Sequence, residues 1–184
     1  MMKAIQQAWL VIVLSLVFGA ALAGVQLTLQ PRIEANKLAD ALNQIPQLVP
    51  GATQGAAAEV AGRRVFRALD DAGKLVGWVV PAAGQGFADK LELLVGVNAD
   101  ASAITGLYVL DQKETPGLGD NITRAEWRAQ FAGKSLAQPL QTVKTAPAAA
   151  QDIQAVTGAT ISSWSVVGIV NEQLARFRKE LRHE

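Results

Sequence analysis

Four hydroxyl side chains surround one glycine in Val156-Thr157-Gly158-Ala159-Thr160-Ile161-Ser162-Ser163, just before a long segment of helical apolar spacing. Ser and Thr are favoured where a helix begins, because their oxygens accept backbone amides that have no intrahelical partner. The same place suits a phosphate, since the unpaired amides and the positive end of the helix dipole both favour an anion. The cluster therefore reads either as a cap or as a hydroxyl that carries a group. On the second reading the amides of Ile161, Ser162 and Ser163 face a phosphate borne on one of these hydroxyls. Gly158, without a Cβ, lets backbone approach a bulky ligand, and Thr157, Ser162 and Ser163 add hydroxyl hydrogen bonds. Two other glycine-bearing segments stand out, Glu114-Thr115-Pro116-Gly117-Leu118-Gly119 and Gly84-Gln85-Gly86-Phe87. Each alone is equally a turn. Asp111, Lys113 and Asp120 read as solvated loop charges.

Most other chemistries are excluded by composition. The chain has no cysteine, which removes disulfides, thiolate-held metals and thiol catalysis. Its one histidine, His183, is the penultimate residue, so a Ser-His-Asp triad or a histidine-rich metal site is not expected. Seventeen basic against 16 acidic residues leave a net charge of +1, and no basic field interleaved with aromatics suggests nucleic acid. Redox or transfer chemistry here has to come from a cofactor.

The elements that must position these loops follow from periodicity. Trp164, Val167, Val170, Leu174, Phe177 and Leu181 recur at intervals of three and four, one face of a final helix that ends in the charged run Arg176 to Glu184. Segments 63–70 and 74–80 flank the turn Asp71-Ala72-Gly73, and segments 91–99 and 104–112 flank Asp100-Ala101-Ser102, two expected hairpins. Helical spacing returns around Ile122, Ala125, Trp127 and Phe131, and residues 139–145 read as a further strand. Pro31 suits the first turn of a helix that runs through Ile33, Leu38, Ala41, Leu42 and Ile45 until Pro46 stops it. Residues 49–62 read as a loop. Trp78, Trp127 and Trp164 are expected in packing roles. The expected fold is α+β, one domain with an antiparallel sheet and flanking helices.

Ahead of this domain, Ala8 to Leu29 contains no charged residue. At the helical rise this stretch spans roughly 33 Å, enough to cross the hydrocarbon core of a bilayer. Residues 1–30 are expected to form a transmembrane anchor, with Trp9 at the interface, and residues 31–184 the domain it tethers. The competing reading is a cleaved signal peptide with Ala21-Leu22-Ala23 as its cleavage site. Apolar character continues past that site through Val25, Leu27 and Leu29, which favours the retained anchor. Charges flank the span on both sides, and the short leading segment places the domain outside.

Taken together, ETPGLG followed about forty residues later by TGATISS resembles the FMN-binding domain of the Rnf and Nqr respiratory complexes. More narrowly the chain is similar to the G subunit of the Rnf ion-translocating electron transport complex. The resemblance implies FMN joined through its phosphate to Thr160 by a phosphoester bond, with Glu114, Thr115, Gly117, Leu118, Gly119, Thr157, Gly158, Ala159, Ile161 and Ser162 around the cofactor. It implies that Leu118 covers a face of the ring, that no metal is bound, and that the chain has no independent catalytic site. It further implies a redox subunit in a bacterial inner-membrane complex, with its domain on the periplasmic side and other membrane subunits as partners. That complex passes electrons between ferredoxin and NAD and couples this to ion transport, and a flavin transferase attaches the FMN. The family pattern often has an aspartate at the position held here by Gln154, and the nearest acid is Asp152. Three alternatives remain: the related C subunit of a Na+-translocating NADH:quinone reductase, a non-redox membrane-anchored assembly module, and a secreted flavoprotein released by cleavage at Ala23.

Overall fold

The computed structural model describes residues 2–182, with side chains from Ala8 onward, so His183 lies outside the described residues. The chain divides into two units, residues 1–39 and 40–184. The first is helical wherever it is described, and its side chains from Trp9 to Leu29 are exposed. Helix α1 spans Met2–Leu48. It passes through Pro31 and Pro46, where sequence spacing predicts the start and the stop of a separate helix. Each proline removes one helical hydrogen bond. After Pro46 the helical pattern resumes, with the Val49 amide donating to the Ile45 carbonyl at 2.9 Å. Burial of Ile45, Leu48 and Val49 holds that last turn in place.

The second unit is built on a five-stranded antiparallel meander, β1 (Gln54–Val60), β2 (Arg63–Leu69), β3 (Leu75–Gln85), β4 (Lys90–Asn98) and β5 (Ile104–Asp111), each strand pairing with the next. Both expected hairpins form. Asp70 closes the first by accepting the amides of Ala72 and Lys74 at 3.0 and 2.8 Å. Asn98 closes the second by accepting those of Ser102 and Ala103, each at 2.9 Å. Strand β1 replaces the loop expected at 49–62. Its Ala-rich sequence has little strand propensity, and its turn to β2 has positive φ at both Ala61 and Gly62, the two-residue geometry for which Asn-Gly is the usual signal.

Both faces of this sheet are covered, which is why β4 reads as a nearly continuous apolar run. On one face lies the last helix, α3 (Thr160–Leu181), with Val166, Val167, Val170, Leu174 and Phe177 in a core shared with Val80, Leu91, Leu93, Val95 and Val97. Trp78 meets Phe177 edge to face, their ring centroids 5.9 Å apart. The helix comes close to the sheet: a Cβ at Gly84 would stand 2.5 Å from Ile169. On the other face the Leu48 carbonyl lies over Gly96 and Gly106 and accepts the Thr105 hydroxyl at 2.6 Å. Side chains at those two positions would lift the chain off the sheet.

Between β5 and α3 the chain makes a 3-10 turn at Gly119–Thr123, the short helix α2 (Ala125–Arg128), and the two-stranded parallel pair β6 (Gln141–Val143) and β7 (Asp152–Gln154). Trp127 is buried against Phe131, and its indole N–H donates to the Gln154 carbonyl at 2.8 Å, tying α2 to β7. Trp78 and Trp127 thus have the expected packing roles. Trp164 does not, being 53% exposed. The spacing from Val167 onward reads it onto the inner face, yet buried Ser162, Ser163, Val166 and Val167 flank it and turn that face away from it.

Candidate functional site

The three glycine-bearing segments meet at one place. The β3–β4 turn brings Phe87, the loop after β5 brings Thr115, Leu118 and Gly119, and the start of α3 brings Gly158, Ala159, Thr160 and Ile161 to line one cavity of about 330 Å³. A volume of that order is usual for a small-molecule site. A wider cavity of about 600 Å³ lies at the other end of α3, lined among others by Leu136, Leu140, Leu174 and Arg178, and contains none of the residues expected from sequence.

Glu114 joins the three segments. Its side chain is buried, with the residue 4% exposed. Oε1 accepts the amides of Phe87 and Ala88 at 2.9 and 3.2 Å, while Oε2 accepts the Ser162 hydroxyl at 2.6 Å. These bonds explain two of the glycines. A Cβ at Gly86 would run into Glu114 Oε1, and one at Gly119 would stand 2.8 Å from Glu114 Cβ and 3.0 Å from Ser162 Oγ. On the surface, Lys113 and Asp89 link the same two loops at 3.1 Å. The Lys90 amide and then the Lys113 ammonium hold the Asp89 carboxyl below its ordinary value.

The hydroxyl cluster divides into separate roles. Ser163 accepts the Val156 amide at 2.9 Å and donates to the Ala159 carbonyl at 3.0 Å, fixing the turn that leads into α3. Ser162 belongs to Glu114. Ala159 occupies the N-cap position with no side-chain cap, and Thr160 is the first helical residue. The capping reading is therefore not what the hydroxyls serve, and neither Ser162 nor Ser163 points its hydroxyl at the cavity rim as expected. The Ser163 amide is also engaged, donating to Ala159 at 3.1 Å. Thr160 alone of the four lines the cavity; Thr157 is exposed outside it. The first helical amides, those of Thr160, Ile161 and Ser162, have no intrahelical acceptor.

Of the remaining expected residues, Gly117 lies off the cavity with φ +75°. Asn121 braces the loop there by donating to the Gly117 and Leu118 carbonyls, each at 3.0 Å. Leu118 leans toward Gly158, where a Cβ would stand 3.0 Å from Leu118 Cδ2, so the two loops close on each other only across a glycine. Asp120 is not the solvated charge expected; its Oδ1 is enclosed and has no hydrogen-bond partner. Gln154, at the position of the family's aspartate, uses its backbone to hold Trp127 and Gln130. Asp152 is buried and accepts the amides of Ala148 and Ala149 at 3.0 and 2.8 Å, which hold its carboxyl below its ordinary value.

Comparison with known proteins agrees with this geometry. Residues 86–175, which contain all three segments from Gly86 onward, match the family model described as FMN-binding domain. The chain is 40% identical over 101 residues to the G subunit of the Na+-translocating ferredoxin:NAD+ oxidoreductase complex of Acetobacterium woodii, covering 54% of this chain and 48% of that protein. It is 38% identical over 114 residues to the G subunit of the proton-translocating ferredoxin:NAD+ oxidoreductase complex of Clostridium ljungdahlii, covering 62% and 60%. The chain thus spans about half the length of the curated relatives it matches. Among solved structures it superposes on Shewanella oneidensis NqrC with a TM-score of 0.57 and 26% identity, over 73% of each chain. The resemblance read from the motifs and the expected α+β architecture are both borne out.

Proposed function

From the match of residues 86–175 to the FMN-binding domain family, we propose that this chain carries FMN covalently, through a phosphoester to Thr160, as an electron-transfer component of an ion-translocating membrane complex. The observation that carries the proposal is the convergence of the three loops on one cavity with Thr160 on its wall. The residues present suit the cofactor. The amides that open α3 and the positive end of its dipole bind a phosphate attached to the Thr160 side chain. Gly158 leaves the space a Cβ would fill, and Leu118, 47% exposed beside it, offers an apolar surface to a ring. When bound, FMN supplies reversible electron transfer. The protein places the ring in a cavity open to solvent on one side and holds the surrounding loops rigid through Glu114.

The finer reading follows the relatives named as G subunits: electrons pass between ferredoxin and NAD, partner subunits lie in the same membrane, and a flavin transferase makes the attachment. Residues 1–39 support a membrane setting, since α1 is long and apolar enough to cross a bilayer. We place residues 1–30 in the inner membrane and the domain on its periplasmic side. The likeness to solved NqrC structures favours a second reading, the C subunit of a Na+-translocating NADH:quinone reductase. Both readings share the flavin and the threonine.

Attachment is tested by expressing the chain with a flavin transferase and comparing wild type with Thr160→Ala. Wild type should fluoresce under ultraviolet light on a denaturing gel and gain the mass of one FMN less water, and the variant should do neither. A variant that keeps the fluorescent band removes Thr160 as the acceptor.

A further inference from the structure

Large exposed apolar side chains are rare in the second unit. Among its described residues they are Phe87, Leu118, Ile161 and Trp164, exposed by 59, 47, 53 and 53%. The first three line the cavity already described. The fourth stands one helical turn after Thr160. Residues four apart on a helix lie roughly 40° apart around its axis, with Cβ atoms about 5–6 Å from each other. A helical side chain also leans toward the N-terminus and covers the turn before its own Cα. Trp164 therefore leans toward the turn of Thr160 and Ile161, two residues of the cavity lining, and stands beside the cavity.

The outer face of α3 changes character at this point. Farther along, that face carries Glu172, Arg176 and Lys179, the polar surface expected of an amphipathic helix. In its first two turns it carries Ile161 and Trp164, followed by Gly168, where a Cβ would meet nothing within 4 Å. Trp164 contributes nothing to the core: its indole has no ring partner among the described aromatic pairs, which are Trp78 with Phe177 and Trp127 with Phe131. An exposed indole beside an apolar cavity that opens at a phosphate-binding helix start has the chemistry of a stacking surface for a planar heteroaromatic ring.

We infer that Trp164 packs against the isoalloxazine ring and so fixes where the ring lies relative to α3. This rests on the flavin being attached at Thr160. A side chain one turn from the point of attachment sets the ring's orientation through a contact independent of the phosphate. A stacking contact of ordinary strength biases the ring toward the indole by roughly 2- to 10-fold over a free tether.

The test compares native flavin fluorescence in wild type, Trp164→Phe, Trp164→Leu and the control Trp9→Phe, after intact mass has shown the same flavin content in each. An indole in contact with a flavin quenches its emission. The native emission of Trp164→Leu should rise roughly 2-fold or more, matching the quenching expected from that bias. Trp9→Phe should match wild type, and after denaturation all four should be equally bright. Trp164→Phe should keep the ring's visible band sharp, because a phenyl ring still stacks, but should lose the quenching. Equal native emission in Trp164→Leu and wild type, at equal flavin content, overturns the inference and leaves Thr160 as acceptor. Wild type without the flavin mass overturns both. Since Trp164 is exposed, the variants should melt with wild type; a lowered melting temperature in Trp164→Phe assigns the indole a structural role and likewise overturns the inference.

Discussion

Glu114 accepts three hydrogen bonds within a site otherwise made of glycine, hydroxyl and apolar groups. Its removal leaves the buried Ser162 hydroxyl and the part-buried amides of Phe87 and Ala88 without their acceptor. Glu114→Ala should therefore lower stability by about 3 kcal/mol or more, read from the urea midpoint at constant slope. Glu114→Gln keeps the shape and one acceptor oxygen and should fall between the two. If Glu114→Ala unfolds like wild type, the three loops are held together by something else. Thr160→Ala gives the opposite expectation. With no side-chain cap on α3 to lose, its stability in the flavin-free protein should stay within about 0.5 kcal/mol of wild type. A larger loss would show the hydroxyl to be part of the helix start after all. That Thr160 lies beside the ETPGLG loop was legible in the sequence, because the pair of motifs is specific. The role of Ser162 was not, since its partner lies 48 residues away and a hydroxyl near a helix start reads first as a cap.

At the scale of elements, the hairpins and α3 were legible because their apolar spacing and turn residues agree. Strand β1 was not, because five of its seven residues are Gly, Ala or Gln and its turn lacks the usual pair. That mismatch can be repaired. Ala61 sits at φ +48°, a conformation Asn tolerates better than Ala, so Ala61→Asn should stabilise the domain by about 0.5–1 kcal/mol, seen as a raised melting temperature. Strand β7 escaped notice for a different reason: three residues give no period, and it is held from outside by Trp127 and Lys134. Asp152 organises the turn before it. The folded carboxyl titrates below the ordinary value of 3.8, chiefly through the amides of Ala149 and Ala148. Its contribution to stability is therefore complete above that value and is lost as pH falls through the lower folded value. In Asp152→Asn that part of the acid sensitivity should be missing. Melting curves from pH 6 down to pH 2 check this, and parallel curves for the two proteins would remove Asp152 from the acid response.

At the scale of the molecule, the end of α1 is part of the domain's core, where the sequence predicts a separate helix that starts at Pro31 and stops at Pro46. Ala41, Ile45, Leu48 and Val49 are all buried and all lie after the boundary at Asp40. A chain beginning at Asp40 should fold and melt cooperatively as a soluble domain. One beginning at Gly51 strips those four side chains from the sheet, a loss on the order of 5 kcal/mol, comparable with the whole stability of a typical domain. It should bind a hydrophobic dye and lack a sharp transition. Cooperative melting of both chains at one temperature would show that the sheet does not need this cover. The boundary drawn from sequence at residue 30 follows charge alone, which marks where lipid could end and carries no information about where the core begins.

The cavity's walls come from residues 87, 115, 118, 119 and 158–161, in that order along the chain. The meander is complete once β5 has emerged from the ribosome, but the last wall arrives only with α3, whose inner face must dock on the sheet before Glu114 can take the Ser162 hydroxyl. A nascent or prematurely terminated chain presents the ETPGLG loop without its counterpart, and a misfolded one presents Thr160 without the loop. On the proposed attachment at Thr160, a transferase that reads the assembled cavity, and not the short motif alone, would mark only finished molecules.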